Sequence, residues 1–85
     1  MQVRTKIREL SLGTIATVVG YEKAYGGYVG KLIAVGLTPG KKFVVLDSLS
    51  LDNRVVILLQ EKIIQLYKPE ADAICVEEVK EEPEM

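Results

Sequence analysis

Few side chains in this sequence are equipped for chemistry near neutral pH: Cys75 is the only cysteine and histidine is absent. The usual nucleophile and base pairs are therefore missing, and no glycine-rich phosphate loop takes their place. Carboxylates stand in pairs at Glu77-Glu78 and Glu81-Glu82, but in an acidic terminal run that gives them no rigid frame. Transition-metal sites favour imidazole, thiolate and carboxylate ligands on a fixed scaffold. Strand alternation sets Cys75 opposite the face of Ile74 and Val76, where it reads as a small apolar side chain. The expectation is a chain that is not an enzyme, takes no cofactor or metal, and works by binding.

Two groups of residues suit binding. Arg4, Lys6 and Arg8 alternate with Thr5 and Ile7, which in a strand would set three cations on one face and suit a small nucleic-acid-binding barrel. Against that stand a net charge of −1, no aromatic stacking series and an acidic tail that would repel phosphates. The cations of residues 1–42 and the acids of residues 43–85 are instead expected to compensate each other within one fold. Tyr21, Tyr25 and Tyr28 around Gly26-Gly27 form the second group, because tyrosine buries apolar area while keeping a polar tip. The competing reading is that Tyr28 belongs to the core and the loop is merely flexible.

The elements that must position these residues follow from the apolar spacing. Leu10-Ser11-Leu12-Gly13 reads as a turn into a strand at Thr14–Val19, dense in β-branched residues and ended by Gly20. Tyr21 to Gly27 reads as a surface loop. Tyr28, Val29, Leu32 and Ile33 recur at helical intervals, predicting a short helix over residues 28–35. Gly36 supplies a left-handed stop, and Thr38-Pro39-Gly40-Lys41 fits a type II turn. Phe43–Leu46, Val55–Leu59, Ile63–Tyr67 and Ile74–Val76 complete five strands, with Gln60-Glu61-Lys62 as a hairpin and a single helical turn at Pro69–Asp72. The expected fold is mainly β, a small SH3-like barrel of five strands with one short α-helix between strands one and two.

The second hairpin carries more apolar residues than one face needs. If Val56 and Leu58 point inward with Leu66, then Val55, Ile57 and Leu59, with Ile63 and Tyr67, form an outward patch for a partner or a second copy. The alternative is coverage by the helix, the Leu49-Leu51 loop or the amino-terminal segment.

At 85 residues the chain has room for one domain, taken as residues 1–77, followed by an acidic tail at 78–85 that cannot bury enough apolar surface to order itself. No apolar run approaches the length that spans a bilayer, and the amino terminus lacks a secretory signal, so a cytoplasmic location without membrane insertion is expected. A single cysteine leaves stability to packing.

The run from Leu32 through Gly36-Leu37-Thr38-Pro39-Gly40 to Lys41-Lys42-Phe43 resembles the most distinctive motif of the FeoA family. Leu10-x-Leu12-Gly13-x-x-Ala16-x-Val18 resembles its opening, and Ile64-x-Leu66 with Glu70-Ala71-x-x-Ile74-x-Val76-Glu77 resembles its close. The resemblance spans residues 10–77. It implies an SH3-like barrel that serves as a cytoplasmic accessory of FeoB, the ferrous iron transporter with a GTPase domain, acting by GTPase activation or by assembly. A related domain ends the iron-dependent repressors of the diphtheria toxin repressor type; with no DNA-reading helix ahead of it here, a stand-alone FeoA is expected. Where the family tends to carry arginines, this chain has Val29-Gly30-Lys31 and Tyr67, and Glu61 replaces a hairpin glycine. The partner contacts implied are thus Tyr21, Tyr25, Tyr28, Lys31, Val55, Ile57, Leu59, Ile63 and Tyr67, with Leu32, Gly36, Leu37, Pro39 and Gly40 as the structural motif.

Overall fold

The computed structural model describes residues 5–49 and 54–79, with the side chains of residues 48 and 49 left out. Six strands form one antiparallel sheet: β1 (Thr5–Lys6), β2 (Ile15–Tyr21), β3 (Lys42–Leu49), β4 (Arg54–Leu59), β5 (Lys62–Tyr67) and β6 (Ile74–Glu78), in the order β1-β6-β2-β3-β4-β5. Short 3-10 turns cover Ile7–Glu9 and Lys23–Tyr28, and two short helices are α1 (Val29–Ala34) and α2 (Lys68–Ala73). The fold is mainly β, consistent with an SH3-like architecture, but it differs from the five-strand, one-helix expectation. The added strand β1 pairs with β6 through Thr5↔Val76 and Lys6↔Cys75, and a two-residue strand leaves almost no periodicity to read. The expected helix lies between β2 and β3, and the single turn at Pro69–Asp72 is a full second helix. The expected loop at Tyr21–Gly27 is instead the end of β2 and most of a 3-10 segment.

Two irregularities bend the sheet around its core. The β2–β6 register shifts between Val18 and Gly20, and the β3–β4 register between Val45 and Asp47. Each extra residue increases local twist, which curls a single sheet toward closure. Ala16, Val18, Phe43, Val45, Val55, Ile57, Leu66, Ile74 and Val76 point into the enclosed space, and Ile7, Leu10, Leu32, Leu37 and Ala71 close its ends.

The Gly-Leu-x-Pro-Gly segment does its structural work by hydrogen bonding. Gly36 N–H donates to Ile33 C=O at 3.0 Å and Leu37 N–H to Leu32 C=O at 2.9 Å, the paired bonds of a Schellman stop, with Gly36 at φ 98°. Lys41 N–H then donates to Thr38 C=O at 3.1 Å around Gly40 at φ 95°, the geometry of a type II turn. Leu32 and Leu37 are fully buried, so the segment pins α1 onto the core and aims the chain into β3.

The hairpin between β4 and β5 corrects the expected orientation. Leu59 pairs with Lys62, so the turn is the two residues Gln60-Glu61, not Gln60-Glu61-Lys62. Shortening a turn by one residue flips the parity of every cross-strand pair. Val55 consequently pairs with Leu66 and faces inward, and Val55, Ile57 and Leu59 are buried core residues, not an outward patch. At the carboxyl end, β6 continues through Glu77 and Glu78, which pair with Thr17 and Ala16, and Val79 N–H donates to Ile15 C=O. Residues 80–85 of the expected tail lie outside the described residues, as do Arg4 and residues 50–53.

Candidate functional site

The surface left by this fold divides into an ion-paired seam around α2 and an apolar outer face on β4 and β5. The seam rests on two carboxylates buried to within 5% exposure, Glu70 and Asp72. Glu70 Oε1 accepts Tyr67 N–H at 2.9 Å, closing the first turn of α2, while its other oxygen pairs with Lys31 of α1. Asp72 Oδ1 accepts Arg8 Nε at 3.0 Å and Nη2 at 2.8 Å, and Oδ2 accepts Lys68 Nζ at 3.0 Å. Burial alone would raise both carboxyl groups. The hydrogen bonds and charges of Lys31, and of Lys68 and Arg8, hold them below the ordinary carboxylate range instead. Glu70 reciprocally raises the Lys31 ammonium.

This seam is the compensation anticipated between the two halves of the chain: Arg8 and Lys31 from the cationic half meet Asp72 and Glu70 from the acidic half. It also engages Lys6 and Arg8, the two described cations of the set that suggested nucleic acid. β1 ends at Lys6, so Lys6 and Arg8 do not share one extended strand; Lys6 Nζ donates to Asp72 C=O and lies 5.9 Å from the Tyr25 ring centre. An open recess of about 570 Å³ between Lys6, Arg8, Glu9, Tyr25 and Asp72 is lined by groups already bonded to one another, with Glu9 Oε1 accepting Lys6 N–H at 3.0 Å. Such a recess offers polarity but no poised nucleophile or base.

Neither buried acid was expected as a site residue, although Glu70 stands in the closing motif of the family resemblance. Glu three residues after an N-cap, with proline between, was the available signal for Glu70; Asp72 had only the charge asymmetry of the chain to reveal it.

Among the nine expected contact residues, Tyr28 at 39%, Lys31 at 64%, Ile63 at 67% and Tyr67 at 51% are exposed. The Lys31 ammonium interacts electrostatically with both Tyr28 and Tyr67, so these three share one neighbourhood beside the amino terminus of α2. Tyr21 and Tyr25 are half-buried against the core. The Tyr21 hydroxyl donates to Leu37 C=O at 2.7 Å, and burial raises its pKa. Leu59 instead underlies Gly36, at which a Cβ would stand 3.3 Å from Leu59 Cδ2. Cys75 is buried on β6, as are both its neighbours, and its thiol donates to Glu22 Oε1 at 3.2 Å.

The outer face is apolar along one row that crosses four strands. Ile15 pairs with Val44, Val44 with Leu58, and Leu58 with Ile63. The first three are half-buried and Ile63 is open to water. Leu46, the extra residue of the β3 bulge, is exposed nearby. No helix among the described residues is long and apolar enough to cross a membrane.

The model of the FeoA domain matches residues 5–78. Among solved structures, a manganese-dependent transcriptional repressor aligns at TM-score 0.83 and 16% identity over 93% of this chain. This chain spans only 44% of that repressor's length. The crystal structure of an iron uptake regulatory protein, FeoA, aligns at TM-score 0.76 and 23% identity over 91% of this chain and 99% of its own. A FeoA-like protein from Clostridium acetobutylicum aligns at TM-score 0.82 and 19% identity over 100% and 98% of the two chains. No curated protein sequence matches. With the family model covering nearly every described residue and the Gly-Leu-x-Pro-Gly stop and turn in place, this chain belongs to the FeoA domain family.

Proposed function

We propose that this chain is a cytoplasmic accessory of ferrous iron uptake that docks on the cytoplasmic part of a FeoB-type transporter and assists its assembly. The match of the FeoA domain over residues 5–78 carries this reading, because it identifies the whole described fold and not a single motif. The surface is in keeping with docking: Tyr28, Lys31 and Tyr67 group tyrosine and cation beside α2, a composition favoured at interface centres. The contact moves from the Val55, Ile57 and Leu59 side chains, which are core, to this neighbourhood and to Ile63. The role proposed is non-catalytic, and the engagement of Glu70 and Asp72 in ion pairs around α2 is in keeping with it.

A small nucleic-acid-binding barrel is the second reading. It is disfavoured by the engagement of Lys6 and Arg8 with Asp72, which ties two of the three alternating cations to a residue of the same fold and away from phosphates. Cells that depend on a FeoB-type transporter should take up ferrous iron more slowly when this chain is removed and recover when it is restored. Unchanged uptake, with RNA co-purifying at low salt, would sink the proposal.

A further inference from the structure

We propose that β5 is a self-complementary edge through which two copies of this chain pair antiparallel about a two-fold axis at Gln65. Among the described residues β5 ends the sheet order, and its register with β4 runs unbroken from Lys62 to Tyr67 without bulge or proline. Sheets ordinarily blunt such an edge with charge, proline or a bulge. Residues 63–67, Ile-Ile-Gln-Leu-Tyr, carry none of these.

The direction of the free backbone groups is set by one observed bond. Tyr67 N–H donates to Glu70, not to β4, so Tyr67 is a position whose backbone faces away from β4. Antiparallel ladders alternate, and Gln65 and Ile63 therefore also present N–H and C=O to the open edge. The same odd-numbered residues carry the outward side chains, with Ile63 and Tyr67 exposed and Leu66 buried. A second copy must satisfy both parities together, and pairing odd with odd does so.

Within that class, centring the axis on Gln65 makes every pair match in kind. Ile63 meets Tyr67 of the second copy twice, Ile64 meets Leu66 twice, and Gln65 meets Gln65. Aromatic with β-branched is among the favoured cross-strand pairs, and the absence of charge from residues 63–67 avoids a like-charge clash within the segment that pairs. Gln65 Oε1 already accepts Arg54 Nη1 at 2.9 Å, which holds the side chain in place with its amide nitrogen left to donate across the axis. Lys62 would fall opposite Lys68, but Lys68 opens α2 and its Nζ is drawn to Asp72, out of the line of the strand. Two backbone bonds cross the interface, both between the Gln65 residues, because Tyr67 N–H is held by Glu70 and Tyr67 C=O, at the N-cap of α2, accepts the first bond of the helix. The contact is small, which makes the dimer weak and concentration-dependent.

Sedimentation equilibrium of the full chain over a range of concentrations tests this. The average mass should climb from one chain toward two. Ile63→Lys, and Gln65→Pro, which removes an N–H that β4 does not use, should each raise the dissociation constant by about tenfold or more. Leu12→Lys, at an equally exposed apolar residue away from β5, should leave it within twofold. Gln65→Cys should yield a disulfide-linked dimer on mild oxidation, because facing residues of a hydrogen-bonded pair stand about 5.5 Å apart at Cα. A chain that stays monomeric throughout, or a dimer indifferent to both Ile63→Lys and Gln65→Pro, would overturn the proposal.

Discussion

Asp72 offers a test in which two disruptions of one contact should differ in size. Its side chain is 7% exposed, whereas those of its partners Arg8 and Lys68 are 36% and 52% exposed. Asp72→Ala removes three charge-assisted hydrogen bonds, but both cations regain water. The half-exposed side of the contact discounts the loss to about 1–2 kcal/mol. Removing both cations instead, in Arg8→Ala with Lys68→Ala, strands a desolvated carboxylate and should cost about 3–5 kcal/mol. For a domain of this size each kcal/mol lowers the melting temperature by about 4–8 °C, so the two variants separate clearly.

The pH dependence supplies a second axis. Asp72 and Glu70 are held below the ordinary carboxylate range in the fold, so the stability they contribute is full above the unfolded-state pKa and is lost as pH falls through the lowered folded value. Asp72→Ala should flatten that acid limb. In the cation-stripped variant the deficit should shrink toward low pH, because protonation neutralises the stranded group. Urea melts at pH 7 and at steps down to about pH 2, below the unfolded-state carboxylate pKa of about 4, with slopes compared to confirm two-state unfolding, provide both readings. A larger loss from Asp72→Ala than from the double variant, or an unchanged acid limb, would refute the description of Asp72 as a desolvated anchor.

The hairpin orientation predicts that Ile57→Asp, placing a charge at a fully buried site, prevents folding, while Ile63→Asp stays within about 1 kcal/mol of the parent by circular dichroism melts. The reverse order would restore the outward patch on β4. Gln60 holds φ at 58°, a conformation costly for any residue with a Cβ. Gln60→Gly should therefore raise stability by about 1 kcal/mol in urea melts, and a loss would argue against a left-handed backbone there.

How far the sequence was legible depends on how local each signal is. The stop after α1 and the turn at Pro39-Gly40 were readable because a few consecutive residues satisfy their own backbone groups, through Leu37 to Leu32 and Lys41 to Thr38. Strand positions were readable from β-branched density. Their facing was not, because Val55 through Leu59 are apolar on both sides and a one-residue difference in turn length decides which side is buried. β1 and the 3-10 segment Lys23–Tyr28 owe their form to tertiary pairing and packing, which no short window encodes. Much the same holds for the α2 seam. Glu70 and Asp72 are buried only because Lys31 and Arg8, distant in sequence, are brought to them by α1 and the amino-terminal turn.

Docking to a transporter partner is tested most directly by a titration of this chain against the isolated cytoplasmic region of a FeoB-type protein. Calorimetry should show saturable binding that persists at moderate salt, as expected of an apolar and tyrosine-centred contact, and that weakens in Tyr67→Ala. Absence of binding to that region, with RNA bound instead and its affinity falling steeply as salt rises, would contradict the account.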